Sequence, residues 1–365
     1  MGKMRLKTFF DKLQDDESRV IFLKRLLFLL EEKYKHMEDM IYELEKSSFS
    51  QWTELNTWKE SFGLASLKDF FDFCKNSRSL VAYGAGAASS ALVAYKRVYS
   101  INISCICDNN TALVGTEKHG YPVISPKTLI NEYMDANIVI TTTKTYIQEI
   151  FEQLLNMGFR KEQIIPLPPL FYMTDEQYFF PDFIQPGKDE IYIDCGCFDG
   201  GTIKAFIEFT GLGNYKKIYG FEPDPVGYCI TKDYVASVGI NNIKLINKGV
   251  WSKDDVLSFY ENSENSLIIE DGGTTDIPVT SIDDTVGDDA VTFIKMDVET
   301  AELEALKGAA KTIVANKPVI AISIYHKLSD ILEIPLYLDS LVPDYKYFIR
   351  HYTLVDAETV LYAVP

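Results

Sequence analysis

The chain has 365 residues, 47% of them hydrophobic and 24% charged, and its 36 Lys and Arg against 53 Asp and Glu give a formal net charge of −17. That length has room for two domains, and the composition is that of ordinary globular protein. The acidic excess excludes nucleic acid or an anionic membrane surface as the partner, because both repel a negative protein.

The first 76 residues read as a helical N-terminal segment. Phe9, Leu13, Ile21, Leu23, Leu26, Leu27 and Leu30 recur at helical spacing among charges. Such a segment caps a following domain or offers a dimerisation surface. Its most apolar run, Val20 to Leu30, is broken by Lys24 and Arg25. It is far shorter than the roughly 20 residues of a membrane span and lacks the marks of a leader, so no membrane insertion and a cytoplasmic location are expected. The six cysteines have no zinc-ribbon spacing, so no metal site is expected. Cys105 with Cys107, and Cys195 with Cys197, read as same-face thiols on strands.

From 77 to 168 the pattern becomes a small Rossmann-like unit, with too few obvious strands for a full sheet. Leu80-Val81-Ala82-Tyr83 ends in Gly84-Ala85-Gly86, a small-residue helix follows, and the strand Ile101–Cys107 ends in Asp108. This is the grammar of a nucleotide-binding half, although Ser89 replaces the third glycine of the dinucleotide fingerprint. Residues 169–187 hold Pro169, Pro181 and Pro186 among aromatic residues and read as an extended linker that packs on a domain.

From 188 to 365 the alternation of strand and helix begins again, and three clusters carry chemistry. Ile191-Tyr192-Ile193-Asp194-Cys195-Gly196 leads through Gly200 into a helix. Gly196 permits a sharp turn and close approach of a ligand to the backbone. Asp194 offers a carboxylate to a cationic amine, and the spacing suits a ligand with an amino-acid end and no pyrophosphate. A tight strand-to-helix turn with an exposed acid gives the same pattern. Glu222 closes the next strand 26 residues after Gly196, where an acid accepts hydrogen bonds from ribose hydroxyls. Ile294-Lys295-Met296-Asp297-Val298-Glu299 then delivers paired carboxylates to a strand's carboxyl end. They suit a substrate or an amine there, and also a helix N-terminus with no ligand. Val256–Tyr260 and Ile277–Thr280 read as an antiparallel hairpin excursion, and two strands at the end of the chain as an antiparallel finish to the sheet. Among the four histidines, His326 alone directly follows a parallel strand of this region, Val319–Ile324.

Asp194-Cys195-Gly196, Phe221-Glu222-Pro223, Ile294 to Glu299, Ala301-Glu302 and Leu306-Lys307-Gly308 together resemble FkbM-type methyltransferases. Ser323-Ile324-Tyr325-His326-Lys327, Arg350-His351-Tyr352 and Glu358 to Tyr362 extend the resemblance to the C-terminus. It implies an α/β chain with a class I methyltransferase domain, a Rossmann-like mixed sheet of seven strands whose last strand is antiparallel, preceded by the smaller Rossmann-like domain and the helical segment. It implies S-adenosylmethionine as cofactor and O-methylation of a hydroxyl on a sugar, nucleotide sugar or related secondary metabolite. On that reading Asp194, Gly196, Gly200 and Glu222 hold the cofactor, Val250 and Trp251 pack on adenine, Asp297 and Glu299 line the reaction centre, and His326 is the general base. The family usually has glycine after Asp-Val-Glu, where this chain has Thr300. Gly84-Ala85-Gly86, Asp108-Asn109-Asn110, Gly115 and His119 to Val123 are similar to a small domain found beside sugar-modifying enzymes, which implies nucleotide-sugar binding. An NAD-dependent oxidoreductase working through Gly84 to Asp108, and a non-catalytic nucleotide-sugar-binding protein, are the competing readings.

Overall fold

Glu190-Ile191-Tyr192-Ile193-Asp194-Cys195 is buried at every position, as a parallel strand covered on both faces must be. It lies near the middle of the larger of two compact units in a computed structural model that describes residues 2–46, 53–169, 177–180, 182–211, 213–262, 265–269 and 275–365. One unit comprises residues 30–172 and 353–356; the other comprises 1–29, 173–352 and 357–365. No described helix is long and apolar enough to cross a membrane.

The smaller unit is built on β1 (Leu80–Tyr83), β2 (Ile103–Cys107), β3 (Glu117–Lys118), β4 (Tyr121–Ile124), β5 (Asn137–Ile140) and β6 (Ile164–Pro166), in the order β3-β4-β2-β1-β5-β6. All neighbours are parallel except the β3–β4 pair. The sequence therefore under-counted the strands, because β3 and β6 are two and three residues long and too short to show a period. The helices Lys35–Lys46 and Leu67–Lys75 belong to this unit, and Phe71 stacks on Tyr99 with ring centroids 3.4 Å apart. The expected single segment of 76 residues is thus shared between the two units, and the division falls inside the helix Asp16–Glu31.

The larger unit has β7 (Glu190–Cys195), β8 (Tyr215–Phe221), β9 (Ile243–Ile246), β10 (Gly249–Val250), β11 (Asp255–Asn262), β12 (Asn265–Ile269), β13 (Thr275–Thr280), β14 (Phe293–Met296), β15 (Val319–Ser323), β16 (Lys346–His351) and β17 (Thr359–Val364). Seven of them form one sheet ordered β16-β17-β15-β14-β7-β8-β9, with β17 antiparallel to both its neighbours. This is the mixed seven-stranded class I methyltransferase arrangement. The chain runs outward from β7 to β9 and returns to β14 on the other side of β7. That reversal leaves a crevice at the carboxyl ends of β7 and β14, where open α/β sheets bind ligands. The excursion after β9 is a four-stranded sheet, β10-β13-β11-β12, and so holds two strands beyond the predicted hairpin.

Part of the predicted linker packs into the core, while Asp182, Gln185, Pro186 and Gly187 are exposed. Tyr178, Phe179, Phe180 and Ile184 are buried with Tyr192, Phe206, Phe293 and Tyr362. The rings bury apolar area that a free linker would leave in water, and this outweighs the preference of the prolines for irregular chain.

The N-terminal helices of this unit are anchored by charge as well as packing. Residue Leu13 bridges Tyr347 on the edge strand β16, and the buried Arg350 reaches Asp15 at 2.7 Å, Ser18 at 3.2 Å and Glu17 at 3.5 Å. Burial pushes the Glu17 carboxyl up to about 7 despite Arg350, with Asp15 adding like-charge repulsion. The folded chain therefore keeps a proton that the unfolded chain releases above its ordinary carboxyl range, and stability falls as pH rises from about 4.5 through 7. Glu17→Gln is expected to flatten that part of the profile and to raise stability at pH 8. Urea unfolding of both proteins across pH 4–8 measures it, and parallel profiles would rule the assignment out.

Candidate active site

β7 and β14 lie side by side, Asp194 opposite Lys295 in register. Lys295 is 2% exposed and Asp194 fully buried, and they pair at 3.2 Å. The Lys295 Nζ also donates to the carbonyls of Gly196 at 2.7 Å and Cys195 at 3.3 Å. Burial works against the charged amine, but the fields of Asp194 and Asp297 outweigh it and hold Lys295 protonated. The other Asp194 oxygen accepts from Thr202 Oγ1 at 2.5 Å, at the start of the helix Gly201–Thr210. The carboxylate expected to face a ligand amine instead lies beneath the loop, held from both sides. Lys295 was passed over among the apolar residues of its strand. The signal was there: a cation on a strand between two others must have a buried partner.

Gly196 (φ +79°) brings the two strand ends together. A Cβ there would lie 2.0 Å from the Asp297 carbonyl oxygen, so no side chain fits. Gly200 (φ +84°) caps the following helix. Glu222 is 6% exposed at the end of β8, and its two oxygens accept from Phe198 N and Asp224 N at 2.8 and 2.9 Å. Burial raises its carboxyl above the ordinary value, and the two backbone donors oppose that shift. Each oxygen retains a lone pair for a further donor. Of the two residues expected to pack on adenine, Val250 is 1% exposed, and Trp251 is partly buried against Leu257, Ile277 and Val279 in the excursion sheet.

Across the crevice, the ends of β14, β15 and β17 gather acids around one histidine. His326 Nδ1 lies 2.7 Å from Glu302, while its Nε2 stands 3.5 Å from Asp297 Oδ1 and 3.4 Å from Glu299 Oε2. The structure thus brings together all three residues expected to be catalytic and adds Glu302, which is fully buried. Burial alone would lower the imidazole's pKa, but the Glu302 hydrogen bond and the fields of Glu302, Asp297 and Glu299 raise it to about 9. The acids around it therefore favour the protonated imidazole more than an exposed histidine's surroundings do. Glu299 and Glu358 are raised by burial and neighbouring acids. Tyr178 donates to Asp297 Oδ2 at 2.9 Å, and Glu358 accepts from Gln177 at 2.8 Å and Tyr325 at 3.1 Å. Gln177 and Tyr178 come from the predicted linker and carry no motif.

Glu299 (φ +47°) and Thr300 (φ +79°) are the central residues of a turn closed by Ala301 N to Val298 O at 3.2 Å. Positive φ at both positions is the geometry that favours glycine, and Thr300 holds it with a branched side chain.

In the smaller unit, Asp108 is committed to the backbone, accepting from Ala85 N at 2.6 Å and Asn110 N at 2.7 Å. Ser89, in place of the third glycine, is buried and donates to Gly86 O at 2.7 Å.

Lys295→Met should leave Asp194 charged and unpaired, a loss of about 3–5 kcal/mol in unfolding free energy. Urea denaturation reads it, and a loss under 1 kcal/mol would mean that the pair is not what holds this loop. Thr300→Gly should relieve about 1–3 kcal/mol of left-handed strain, offset in part by the entropy of glycine in the unfolded chain. The same assay should show equal or greater stability, and a lower midpoint would contradict the strain.

Residues 194–348 match the family profile described as "Methyltransferase FkbM domain", and residues 76–165 match "C2185-like, N-terminal". No curated protein matched. Among solved structures, the fold is similar to methyltransferase FkbM from Methylobacillus flagellatus KT, with TM-score 0.52 and 19% identity over 87% of this chain and 100% of that one. A SAM-dependent methyltransferase from Aquifex aeolicus (TM-score 0.29, 15% identity, 52% of this chain and 90% of that one) and an rRNA methylase from Streptococcus thermophilus (0.30, 17%, 48% and 86%) are more distant.

Proposed function

Residues 194–348 form an FkbM-type methyltransferase domain, and from that premise we propose that the chain O-methylates a hydroxyl-rich small molecule, a sugar, nucleotide sugar or related secondary metabolite. The observation that carries the proposal is the crevice at the β7–β14 reversal, with a carboxylate for a diol on one side and a ring of acids and phenols on the other.

The cofactor is S-adenosylmethionine, which when bound supplies an electrophilic methyl group on a sulfonium. The residues present fit it. Glu222 keeps a lone pair on each oxygen, as two ribose hydroxyls require, and Gly196 leaves the backbone bare where a ligand must come close. Gly200 sets the turn into the following helix. Asp194 acts at one remove, by fixing through Lys295 the carbonyls of Cys195 and Gly196.

On the acceptor side, Asp297, Glu299, Glu358 and Tyr325 offer several hydrogen-bond acceptors, which suits a ligand that presents many hydroxyl donors. Glu299 is half exposed and within reach of such a ligand. Asp297 and Glu299 are the groups available to take the proton that an attacking hydroxyl releases. Holding nucleophile and methyl in line can supply on the order of 7–11 kcal/mol of the barrier.

Isothermal titration tests this reading. S-adenosylmethionine should bind and NAD should not. Glu222→Ala should weaken binding by about 1.5–3 kcal/mol, roughly ten- to a hundredfold, while circular dichroism shows the fold kept. Unchanged affinity in that variant would remove Glu222 from the cofactor site.

A further inference from the structure

The acids that face His326 exceed the positive charge available to them. Lys295 is committed to Asp194 and to two carbonyls, which leaves the imidazole to face Asp297, Glu299 and Glu302. The His326 side chain is 6% exposed, and its Nε2 has no hydrogen-bond partner; Asp297 Oδ1, beside it, has none either. Asp297, Glu302 and His326 each bring a ligand-type atom within 4.8 Å of the other two.

We propose that this cluster is a divalent-cation site, in which His326 Nε2, Asp297 Oδ1 and Glu299 Oε2 are the ligands and Glu302 orients the imidazole. The proposal rests on the methyltransferase reading and deepens it.

Distances divide the roles. Glu302 lies 2.7 Å from Nδ1, which keeps a proton there and leaves Nε2 as the coordinating atom once a cation displaces its proton to solvent. A carboxylate on the far nitrogen is the usual partner of a metal-bound histidine. Nε2 is 3.5 Å from Asp297 Oδ1 and 3.4 Å from Glu299 Oε2. Those separations are long for hydrogen bonds, but they suit neighbouring ligands that each lie about 2.1 Å from one ion. Tyr178 holds the other oxygen of Asp297 and so aims Oδ1. One nitrogen and two carboxylate oxygens suit Mn²⁺, Fe²⁺, Co²⁺ or Zn²⁺ better than Mg²⁺. Three protein ligands leave positions open for water and for the acceptor's hydroxyl oxygens. A cation there would bind an alcohol and lower the pKa of its proton. The ligands come from the turn after β14 and the end of β15, so no short spacing in the sequence announces them.

The test uses the full chain, stripped with a chelator and titrated with Mn²⁺ alone, with free Mn²⁺ followed by its paramagnetic resonance signal. One Mn²⁺ per chain should bind, and Asp297→Asn and His326→Ala should each weaken it at least tenfold. S-adenosylmethionine titration of the same samples shows that each variant is folded and that the cofactor side is intact. Tight Mn²⁺ binding that both variants keep would assign the ion to the acidic surface and overturn the site. So would absence of Mn²⁺ binding in a chain that binds S-adenosylmethionine, which leaves the methyltransferase reading standing. Co²⁺ gives a second measurement: its visible absorption should change on binding to the wild type and not to His326→Ala, and an identical spectrum in both would also overturn the proposal.

Discussion

The larger unit depends on one buried ion pair. Lys295 and Asp194 sit on adjacent central strands, both almost wholly removed from water, and the amine also grips two carbonyls of the turn that leaves β7. Two apolar residues of similar volume would serve stability as well or better, because a buried pair repays little beyond its own desolvation. What apolar residues cannot do is fix where Cys195 and Gly196 point their carbonyls, or tie the start of the next helix through Thr202. The pair is a positioning device. It fixes the turn that leaves β7, and Gly196 is the residue that lets that turn approach the Asp297 carbonyl.

The two walls of the crevice then differ in character. The β7–β8 wall brings the backbone of the Gly196 turn together with Glu222, a carboxylate already stiffened by two amide donors. The opposite wall is built from side chains of three strand ends and of the aromatic segment that precedes β7. It carries a dense negative field, in which Tyr178, Gln177 and Tyr325 each neutralise an acceptor without adding charge.

Much of this was legible from local pattern. The apolar runs of β7, β8 and β14 ended in glycine or acid, and those ends proved to be the ends of adjacent strands. His326 was correctly placed at the strand edge. What sequence could not supply was the distance between elements far apart in the chain. Asp194 looked like a ligand-facing acid because its partner lies 101 positions later, and His326 looked like an ordinary imidazole because Glu302 and Asp297 are on another strand's turn. Trp251, expected to pack on adenine, also lies partly buried against Leu257, Ile277 and Val279 of the excursion sheet, a contact that no local pattern announces. Short strands such as β3 and β6 hold too few residues for any period to show.

The segment before β7 shows most clearly why motif and domain are different units. The profile match begins at Asp194, and a chain begun at Lys188 would keep every residue of it. It would lose the Tyr178 bond to Asp297, the Gln177 bond to Glu358, and the Phe179 and Phe180 rings that cover Tyr192 and Phe293. It would also lose Asp15, Glu17 and Ser18 and the Phe180 and Phe183 rings, leaving Arg350 without its carboxylates and without the two aromatic faces it lies against. Hence the catalytic unit includes parts of the chain that carry no catalytic motif, because buried charges and orphaned acceptors must be satisfied wherever the chain can supply a partner.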